Sequence, residues 1–287
     1  MKRKWVDLHT HSTASDGALR PERLIALADE QGLAAIALTD HDTIEGLAAA
    51  AQEAATRPQL AFIPGIEVSA SYPAGTMHIL GLDINPSAES ITSLAKRLRQ
   101  ARCDRNPQVI DRLQQLGLDI DMDDVLAVVP DAAGRGGQSV VSRLHIAEAM
   151  RRKGLVNSTQ QAFEKYLQAG RPAYLDKERL PASEVIAAIR RAEGLAVLAH
   201  PVQLRCRNRL QLETVVKQLV DDGLGGLEVY HSDHDLRQTR LQLDLARKFN
   251  LQITGGSDFH GATKPEVSIG HPRVPADVLT GQLARYL

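Results

Sequence analysis

Histidine and carboxylate side chains recur in short motifs along the chain, and they are the residues best suited to chemistry. The set comprises six imidazoles and three carboxylates: His9, His11, Asp16, His41, Glu67, His78, His200, Asp258 and His260. Such nitrogen and oxygen donors suit Mn²⁺, Zn²⁺ or Fe²⁺, and no cysteine accompanies them as in structural zinc sites. Metals held ~3.5 to 4 Å apart can share a hydroxide and stabilise a phosphoryl transfer. The residues therefore predict a multinuclear phosphoesterase centre, with Glu67 as the bridging carboxylate.

Runs of aliphatic residues that precede most of these motifs predict the strands that position them. The predicted strands span residues 5–8, 35–38, 60–66, 77–84, 195–198, 226–229 and 251–254. Helices are predicted between them, beginning near residue 21 and at 45–55, 182–192, 209–220 and 235–249, which is the order of β/α units. Catalytic residues of a parallel barrel lie at the C-terminal ends of its strands. Only His78 lies near the start of a strand, and a hairpin after residues 72–75 is expected to return it to the same face.

A different pattern occupies residues 99–170, where strand-like runs are absent. Short helices are predicted there at residues 105–116, 123–129, 142–152 and 159–167. The fold class is therefore α/β, with a barrel built from residues 1–99 and 171–287. Residues 100–170 are expected to form a small helical insert over the mouth of the barrel.

Composition limits the kinds of partner that the protein can have. Hydrophobic residues make up 43% of the 287 residues and charged residues 24%, as in ordinary globular proteins. A formal net charge of -1 argues against bulk electrostatic binding of long nucleic acid, but it permits a small phosphorylated substrate. Cys103 and Cys206 are too few for a disulfide framework, and no apolar leader or membrane-length run occurs. We expect a cytoplasmic protein without a membrane partner.

Several motifs together resemble the PHP superfamily, named for polymerase and histidinol phosphatase. They are residues 7–12 (DLHTHS), 15–17 (SDG), 39–42 (TDHD), 65–69 (GIEVS), 78–81 (HILG), 199–201 (AHP) and 256–260 (GSDFH). The resemblance implies a distorted seven-stranded (β/α) barrel with three divalent metals, for which Mn²⁺ is expected. It implies one metal on His9, His11, Glu67 and Asp258, a second on Glu67, His78 and His200, and a third on Asp16, His41 and His260. Asp40 and Asp42 would orient these ligands.

The single insert and residues 170–174 (GRPAY) resemble the TrpH-like branch of the superfamily. That branch includes 3′,5′-nucleoside bisphosphate phosphatases and a 5′→3′ exoribonuclease, which implies a 5′-phosphorylated nucleotide or short RNA as substrate. Arg102, Arg105 and Arg143 match basic positions of this branch and are expected to bind the 5′-phosphate, with Lys177 as a further candidate contact. A solvated charged face is the alternative. Relatives often carry Gly-Arg after Ala-His-Pro, whereas Val202 and Gln203 follow here. Arg205 or Arg207 are candidate substitutes.

Catalysis is expected to involve Glu67, Asp258 and His234. His234 lies in residues 230–234 (YHSDH) and matches a family position from which it would position or protonate the leaving group. A helix-capping neighbourhood is the alternative. Histidinol phosphate phosphatase is an alternative activity, but the long insert with its arginines fits a nucleotide better. A non-catalytic metal-bound nucleotide sensor is the alternative class of function, although degenerate domains are expected to lack ligands and none is missing here.

Overall fold

A computed structural model describes residues 4–129, 141–176 and 178–287. Eight strands form one sheet in the order β7-β6-β5-β4-β3-β2-β1-β8. They are β1 (Trp5–Asp7), β2 (Ala35–Leu38), β3 (Ala61–Ala70), β4 (Met77–Leu82), β5 (Leu195–Leu198), β6 (Gly226–His231), β7 (Gln252–Gly256) and β8 (Val274–Pro275). The seven predicted strands are confirmed, and the eighth is a two-residue strand beside β1.

Strand β4 is antiparallel to both of its neighbours, whereas the other main strands pair in parallel. The sheet therefore brings the C-terminal ends of β1, β2, β3, β5, β6 and β7 to one face. The hairpin of β3 and β4 pairs Ser69 with His78. The expected return of His78 to the common face follows directly from this register.

Backbone hydrogen bonds between the segment after β1 and that after β7 nearly close the sheet into a barrel. Leu8 N donates to Gly255 O over 3.1 Å, and Asp258 N donates to His9 O over 2.9 Å. The strands approach closely because Gly256 has no side chain, since a Cβ there would lie 2.4 Å from the Cβ of His9. The buried carboxylate of Asp7 fastens the same junction, accepting hydrogen bonds from Ser257 N and Gly270 N, both over 2.8 Å. Burial raises the pKa of Asp7, although these hydrogen bonds lower it.

Alternation along the strands divides the core into two layers. On β2, Ala35 and Ala37 face the barrel interior, while Ile36 and Leu38 pack against the surrounding helices. The helices are α1 (Pro21–Glu30), α2 (Leu47–Ala54), α3 (Glu89–Gln115), α4 (Met122–Leu126), α5 (Arg143–Arg152), α6 (Thr159–Ala162), α7 (Ala182–Arg191), α8 (Arg209–Asp221) and α9 (Leu236–Lys248). None of the helices in the described ranges is long and apolar enough to cross a bilayer.

Helix α3 joins the barrel to the insert and is longer than the sequence predicted. It begins at Glu89 rather than near residue 105, and it continues through Pro107. Proline usually interrupts a helix because it lacks an N–H donor. Here Leu94 and Leu98 pack on the barrel core, while Val109 and Leu113 pack in a separate insert core, so tertiary contacts hold both halves. The predicted boundary between residues 99 and 100 falls inside this helix, and the division into domains stays a prediction.

Candidate metal centre

All nine predicted metal ligands lie together at the C-terminal face of the barrel. His9 and His11 follow β1, His41 follows β2, Glu67 lies within β3, His78 lies in β4 and His200 follows β5. Asp258 and His260 follow β7, and Asp16 lies in the loop between β1 and α1. The strand ends thus position the whole set, as the sequence pattern indicated.

Glu67 occupies the centre of the cluster and is fully buried. Its Oε1 lies 2.7 Å from His78 Nδ1, 3.0 Å from His200 Nε2 and 3.4 Å from His9 Nε2. Its Oε2 lies 2.8 Å from His41 Nδ1 and 3.3 Å from His11 Nε2. Both oxygens of one carboxylate therefore face imidazole nitrogens from five different positions, which is the arrangement that a bridging carboxylate requires.

Asp258 and Asp16 extend the cluster on the side of β1 and β7. Asp258 Oδ1 lies 3.1 Å from His11 Nε2 and 3.4 Å from His9 Nε2. Asp16 Oδ1 lies 3.3 Å from His260 Nε2 and 4.0 Å from His41 Nε2. Burial alone would raise the pKa values of these two carboxyl groups and of Glu67, but the surrounding imidazoles hold all three pKa values well below the usual range. The carboxylates are therefore ionised.

The donor set fits divalent metals. Buried nitrogen and oxygen atoms without a hydrogen-bond partner include His9 Nε2, His11 Nε2, Asp16 Oδ1, His41 Nδ1 and Glu67 Oε2. Orphaned polar atoms are costly in a protein interior unless a ligand satisfies them. Burial lowers the pKa of His11 to about 3 and that of His78 to about 4, so both rings are neutral, as metal ligands must be.

Two ligand groups coincide closely with the predicted sets. His9, His11, Glu67 and Asp258 form one group, and Asp16, His41 and His260 form another together with His11, each with ligand atoms within 4.8 Å of one another. A third group contains Glu67 and His78 with His41. His200 also reaches Glu67, at 3.0 Å. The assignment of particular residues to particular metals stays a prediction.

Buried carboxylates behind the cluster orient its loops. Asp40 accepts hydrogen bonds from Ser12 N over 2.7 Å and from the hydroxyl groups of Ser12 and Ser15, both over 2.6 Å. It therefore shapes the loop that carries His11 and Asp16. Asp42 pairs with Arg102, whose Nε donates to Asp42 Oδ2 over 3.0 Å. This pair ties α3 to the loop that carries His41.

Glu228 is a fully buried residue of the site that the sequence analysis missed. It accepts a hydrogen bond from His9 Nδ1 over 3.0 Å and another from His200 N over 2.7 Å. The bond to Nδ1 leaves His9 Nε2 facing Glu67 as a ligand atom. Burial would raise the pKa of Glu228, but His9 and His231 lower it to about 2. A lone carboxylate within the apolar strand β6 was the available signal.

His231 and Lys264 were also missed, and both flank Asp258. Lys264 Nζ lies 3.0 Å from Asp258 Oδ2, and His231 Nε2 lies 3.7 Å from the same oxygen. His231 Nδ1 accepts a hydrogen bond from Asp233 N over 3.0 Å. Its Nε2 is buried without a hydrogen-bond partner among the described residues, and His231 forms with His9 and Glu228 a further group that could hold a metal ion.

The predicted phosphate-binding arginines lie where the insert meets the cluster. Arg105 is 4% exposed, and its Nε has no hydrogen-bond partner. Burial lowers its pKa to about 9, and the charges of Arg143 and Arg102 add to the effect. Arg143 stacks 4.9 Å from the ring centre of Tyr174, and burial also lowers its pKa. Lys177 lies outside the described residues.

His145 places this basic pocket beside the metal cluster. Burial lowers the pKa of the His145 ring, the charge of Asp16 raises it, and that of Arg102 lowers it. The ring therefore lies within electrostatic reach of both groups. Its Nδ1 accepts a hydrogen bond from Ser142 N over 3.1 Å at the start of α5. The first turn of α5 thus carries both Arg143 and His145.

His234 lies at the opposite side of the mouth, after β6. Its Nδ1 donates to Val229 O over 2.9 Å, and burial lowers its pKa. The neutral ring therefore presents Nε2 as an acceptor, and this atom is buried without a hydrogen-bond partner. Helix α9 is capped by Asp235, so His234 directly precedes a helix cap, as the alternative interpretation expected, and its role stays a prediction.

Comparisons with known proteins agree with this geometry. The profile of the PHP domain matches residues 7–175. A 3′,5′-nucleoside bisphosphate phosphatase from Chromobacterium violaceum is 34% identical over 268 residues, which cover 93% of this chain and 90% of the relative. A 5′-3′ exoribonuclease from Haemophilus influenzae is 32% identical over 261 residues, covering 90% of each chain. A solved structure from Bifidobacterium adolescentis, described as a candidate metal-dependent phosphoesterase, has a TM-score of 0.84 and 32% identity, covering 96% of this chain and 93% of that one.

Proposed function

Because the chain belongs to the PHP domain family, we propose that it hydrolyses the ester at the 3′ oxygen of nucleotides that carry a 5′-phosphate. Its enzyme class is that of hydrolases acting on phosphoric ester bonds. For a nucleoside 3′,5′-bisphosphate, the products are the nucleoside 5′-monophosphate and phosphate. For short 5′-phosphorylated RNA, the same cleavage releases one 5′-mononucleotide and leaves a phosphate on the shortened chain.

The observation that supports this substrate is the buried Arg105 beside Arg143. Within the described residues no carboxylate forms an ion pair with Arg105, although the charge of Asp176 raises its pKa. A buried cation in this setting is costly, and an anionic ligand can offset the cost. These arginines lie at the insert, apart from the imidazoles and carboxylates at the barrel mouth. A substrate with two separated phosphates matches two separated sites. Arg102 is held by Asp42, and we propose that it supports this pocket from behind.

The donor set of the cluster is suited to divalent metals, of which we propose three, with Mn²⁺ as the native ion and Zn²⁺ or Fe²⁺ as alternatives. Bound there, the metals supply an activated water and charge stabilisation for the phosphoryl group. Glu67 is the proposed bridging ligand, because both of its oxygens face imidazole nitrogens.

Residues around Asp258 and His234 complete the proposed site. Asp258 is fixed from behind by Lys264, 3.0 Å away, so that its other oxygen faces His9 and His11. His234 presents an unprotonated Nε2 on the side away from the insert. We therefore assign it to positioning of a hydroxyl or water near the phosphate rather than to protonation of the leaving group.

Purified Mn²⁺-loaded protein tests this proposal with three substrates: adenosine 3′,5′-bisphosphate, a 5′-phosphorylated RNA pentamer and histidinol phosphate. We expect AMP from the first, stepwise 5′-monophosphates from the second and little phosphate from the third. Arg105→Ala should raise KM for the bisphosphate, whereas Arg152→Ala, an exposed insert arginine, is the matched control. Faster turnover of histidinol phosphate would favour the alternative phosphatase, and inactivity on all three with metals bound would favour the sensor.

A further inference from the structure

A groove lies beside the proposed active site, on the side of β5 and β6. It encloses about 520 Å³ between Pro201, helix α8 and the first turns of helix α9. Pro201 directly follows His200, and α9 begins two residues after His234. The ring centres of His200 and His231 are 5.3 Å apart. The groove therefore starts at the loops that carry the metal cluster.

The position of the groove relative to the insert determines which part of a substrate would reach the groove. The insert contacts the loop after β2 through Arg102 and Asp42, whereas the groove adjoins β5 and β6. In the sheet order these strands lie on the far side of β3 and β4. A nucleotide whose 5′-phosphate lies at Arg105 and whose 3′-phosphate lies at the metal cluster would direct any following chain away from the insert. That direction leads towards the groove.

The charged side chains of the groove favour a polyanion. Arg237 and Arg240 lie three residues apart on α9, both exposed, and neither makes an ion pair with a described residue. The nearby carboxylates already form hydrogen bonds or ion pairs with other groups. Asp235 accepts a hydrogen bond from Gln238 N over 2.7 Å, and Asp244 lies 3.5 Å from Arg209. Two arginines thus remain available for anions.

The rim of the groove adds more positive charge and apolar surface. Arg205 and Arg207 are both exposed in the segment between Pro201 and α8. Leu210 and Leu236, in the first turns of α8 and α9, are 72% and 79% exposed. Single-stranded nucleic acid is bound by cationic grooves that also offer surfaces to the bases.

From these observations we infer that the groove binds the RNA strand that follows the scissile bond, with Arg237 and Arg240 contacting its phosphates. The inference rests on the proposed function, because it uses the 5′-phosphate pocket to orient the strand. It makes the groove a subsite that RNA occupies and that a mononucleoside bisphosphate does not reach. The enzyme would then distinguish RNA from bisphosphate by residues of the groove, outside the set of metal ligands.

The test compares the double variant Arg237→Ala/Arg240→Ala with Arg247→Ala, an exposed arginine near the other end of α9. We expect kcat/KM for a 5′-phosphorylated RNA pentamer to fall about tenfold in the double variant, and kcat/KM for adenosine 3′,5′-bisphosphate to change less than about twofold. The salt dependence of pentamer binding should weaken by about 1.4 in logarithmic slope, at about 0.7 per lost phosphate contact.

Binding provides a second readout that does not depend on turnover. Fluorescence anisotropy of a labelled 5′-phosphorylated RNA pentamer with metal-free protein should show an affinity about tenfold weaker for the double variant and an unchanged affinity for Arg247→Ala. The inference would be overturned if the double variant lost kcat/KM equally on both substrates or bound the pentamer as tightly as the wild type. It would also be overturned if Arg247→Ala weakened pentamer binding or turnover as much as the double variant does. If wild-type protein hydrolyses neither substrate, the proposed function fails, while the anisotropy comparison still decides whether the groove binds RNA.

Discussion

Replacement of Arg105 by methionine should stabilise the metal-free protein while it weakens binding of a 5′-phosphate. Arg105 is 4% exposed, and burial together with the charges of Arg143 and Arg102 lowers its pKa to about 9. At 1.36 kcal/mol per pKa unit, the buried charge costs at most about 5 kcal/mol. Methionine fills similar space without charge, and such replacements often stabilise by about 1–4 kcal/mol. We expect a gain of about 1–3 kcal/mol in the free energy of unfolding.

The effect on substrate binding should have the opposite sign. A charge-assisted hydrogen bond contributes about 1.5–3 kcal/mol, so KM for adenosine 3′,5′-bisphosphate should rise about 10- to 150-fold. KM for p-nitrophenyl phosphate, which has no second phosphate, should stay within about twofold. Urea denaturation in EDTA measures the first effect, and steady-state kinetics measures the second.

Arg102→Met provides a matched control on the same helix. Arg102 pairs with the fully buried Asp42, which also accepts a hydrogen bond from Ser69 N, so removing this cation should cost up to about 3–5 kcal/mol. The two substitutions should therefore change stability in opposite directions. Destabilisation by Arg105→Met, or equal changes in KM for both phosphate esters, would refute the view that Arg105 is a strained cation held for a phosphate.

Three further predictions concern the metal cluster. Glu67→Gln removes the proposed bridging ligand, so it should lower kcat at least about 1000-fold and reduce the amount of bound Mn²⁺. Plasma mass spectrometry measures the bound Mn²⁺, and full metal content in the variant would contradict the bridging role. Gly256→Ala should lower the free energy of unfolding, measured by urea denaturation, by about 2–4 kcal/mol, because the new Cβ would lie 2.4 Å from the Cβ of His9. A variant as stable as the wild type would contradict that close approach. Burial lowers the pKa of His260, but the charges of Asp258 and Asp16 outweigh burial and raise this pKa to about 9. The protonated ring therefore stabilises the metal-free protein fully below pH 6.5, and this stabilisation is lost as the pH rises towards 9. Urea denaturation in EDTA at both pH values should show a fall of up to ~3 kcal/mol, which His260→Asn should reduce.

The sequence predicted the strand ends and the ligand types because both follow from local patterns. Aliphatic runs followed by His, Asp or Glu locate the barrel strands, and the common face follows from parallel pairing. His78 was also placed correctly, since a turn between two strands implies an antiparallel hairpin. These inferences need only the chain itself.

The contacts that each charged side chain makes in the folded protein could not be predicted from such local patterns. Arg102 and Arg105 share a helix and a charge, yet one meets Asp42 and the other meets two arginines. The difference depends on how α3 crosses the barrel mouth, and that path depends on packing on both sides of Pro107. Glu228 likewise acquires its role only from the rings of His9 and His200, far away in the sequence.

The junction of β1 and β7 has a consequence for synthesis of the protein. His9 emerges early from the ribosome, but Asp258 and His260 are made roughly 250 residues later, and Gly270, which donates to Asp7, later still. A nascent chain can therefore fold α1, β2 and the insert before its catalytic face exists. Until the last ligands leave the exit tunnel, His9 and His11 lack the Asp258 carboxylate beside them, and the set of metal ligands is incomplete.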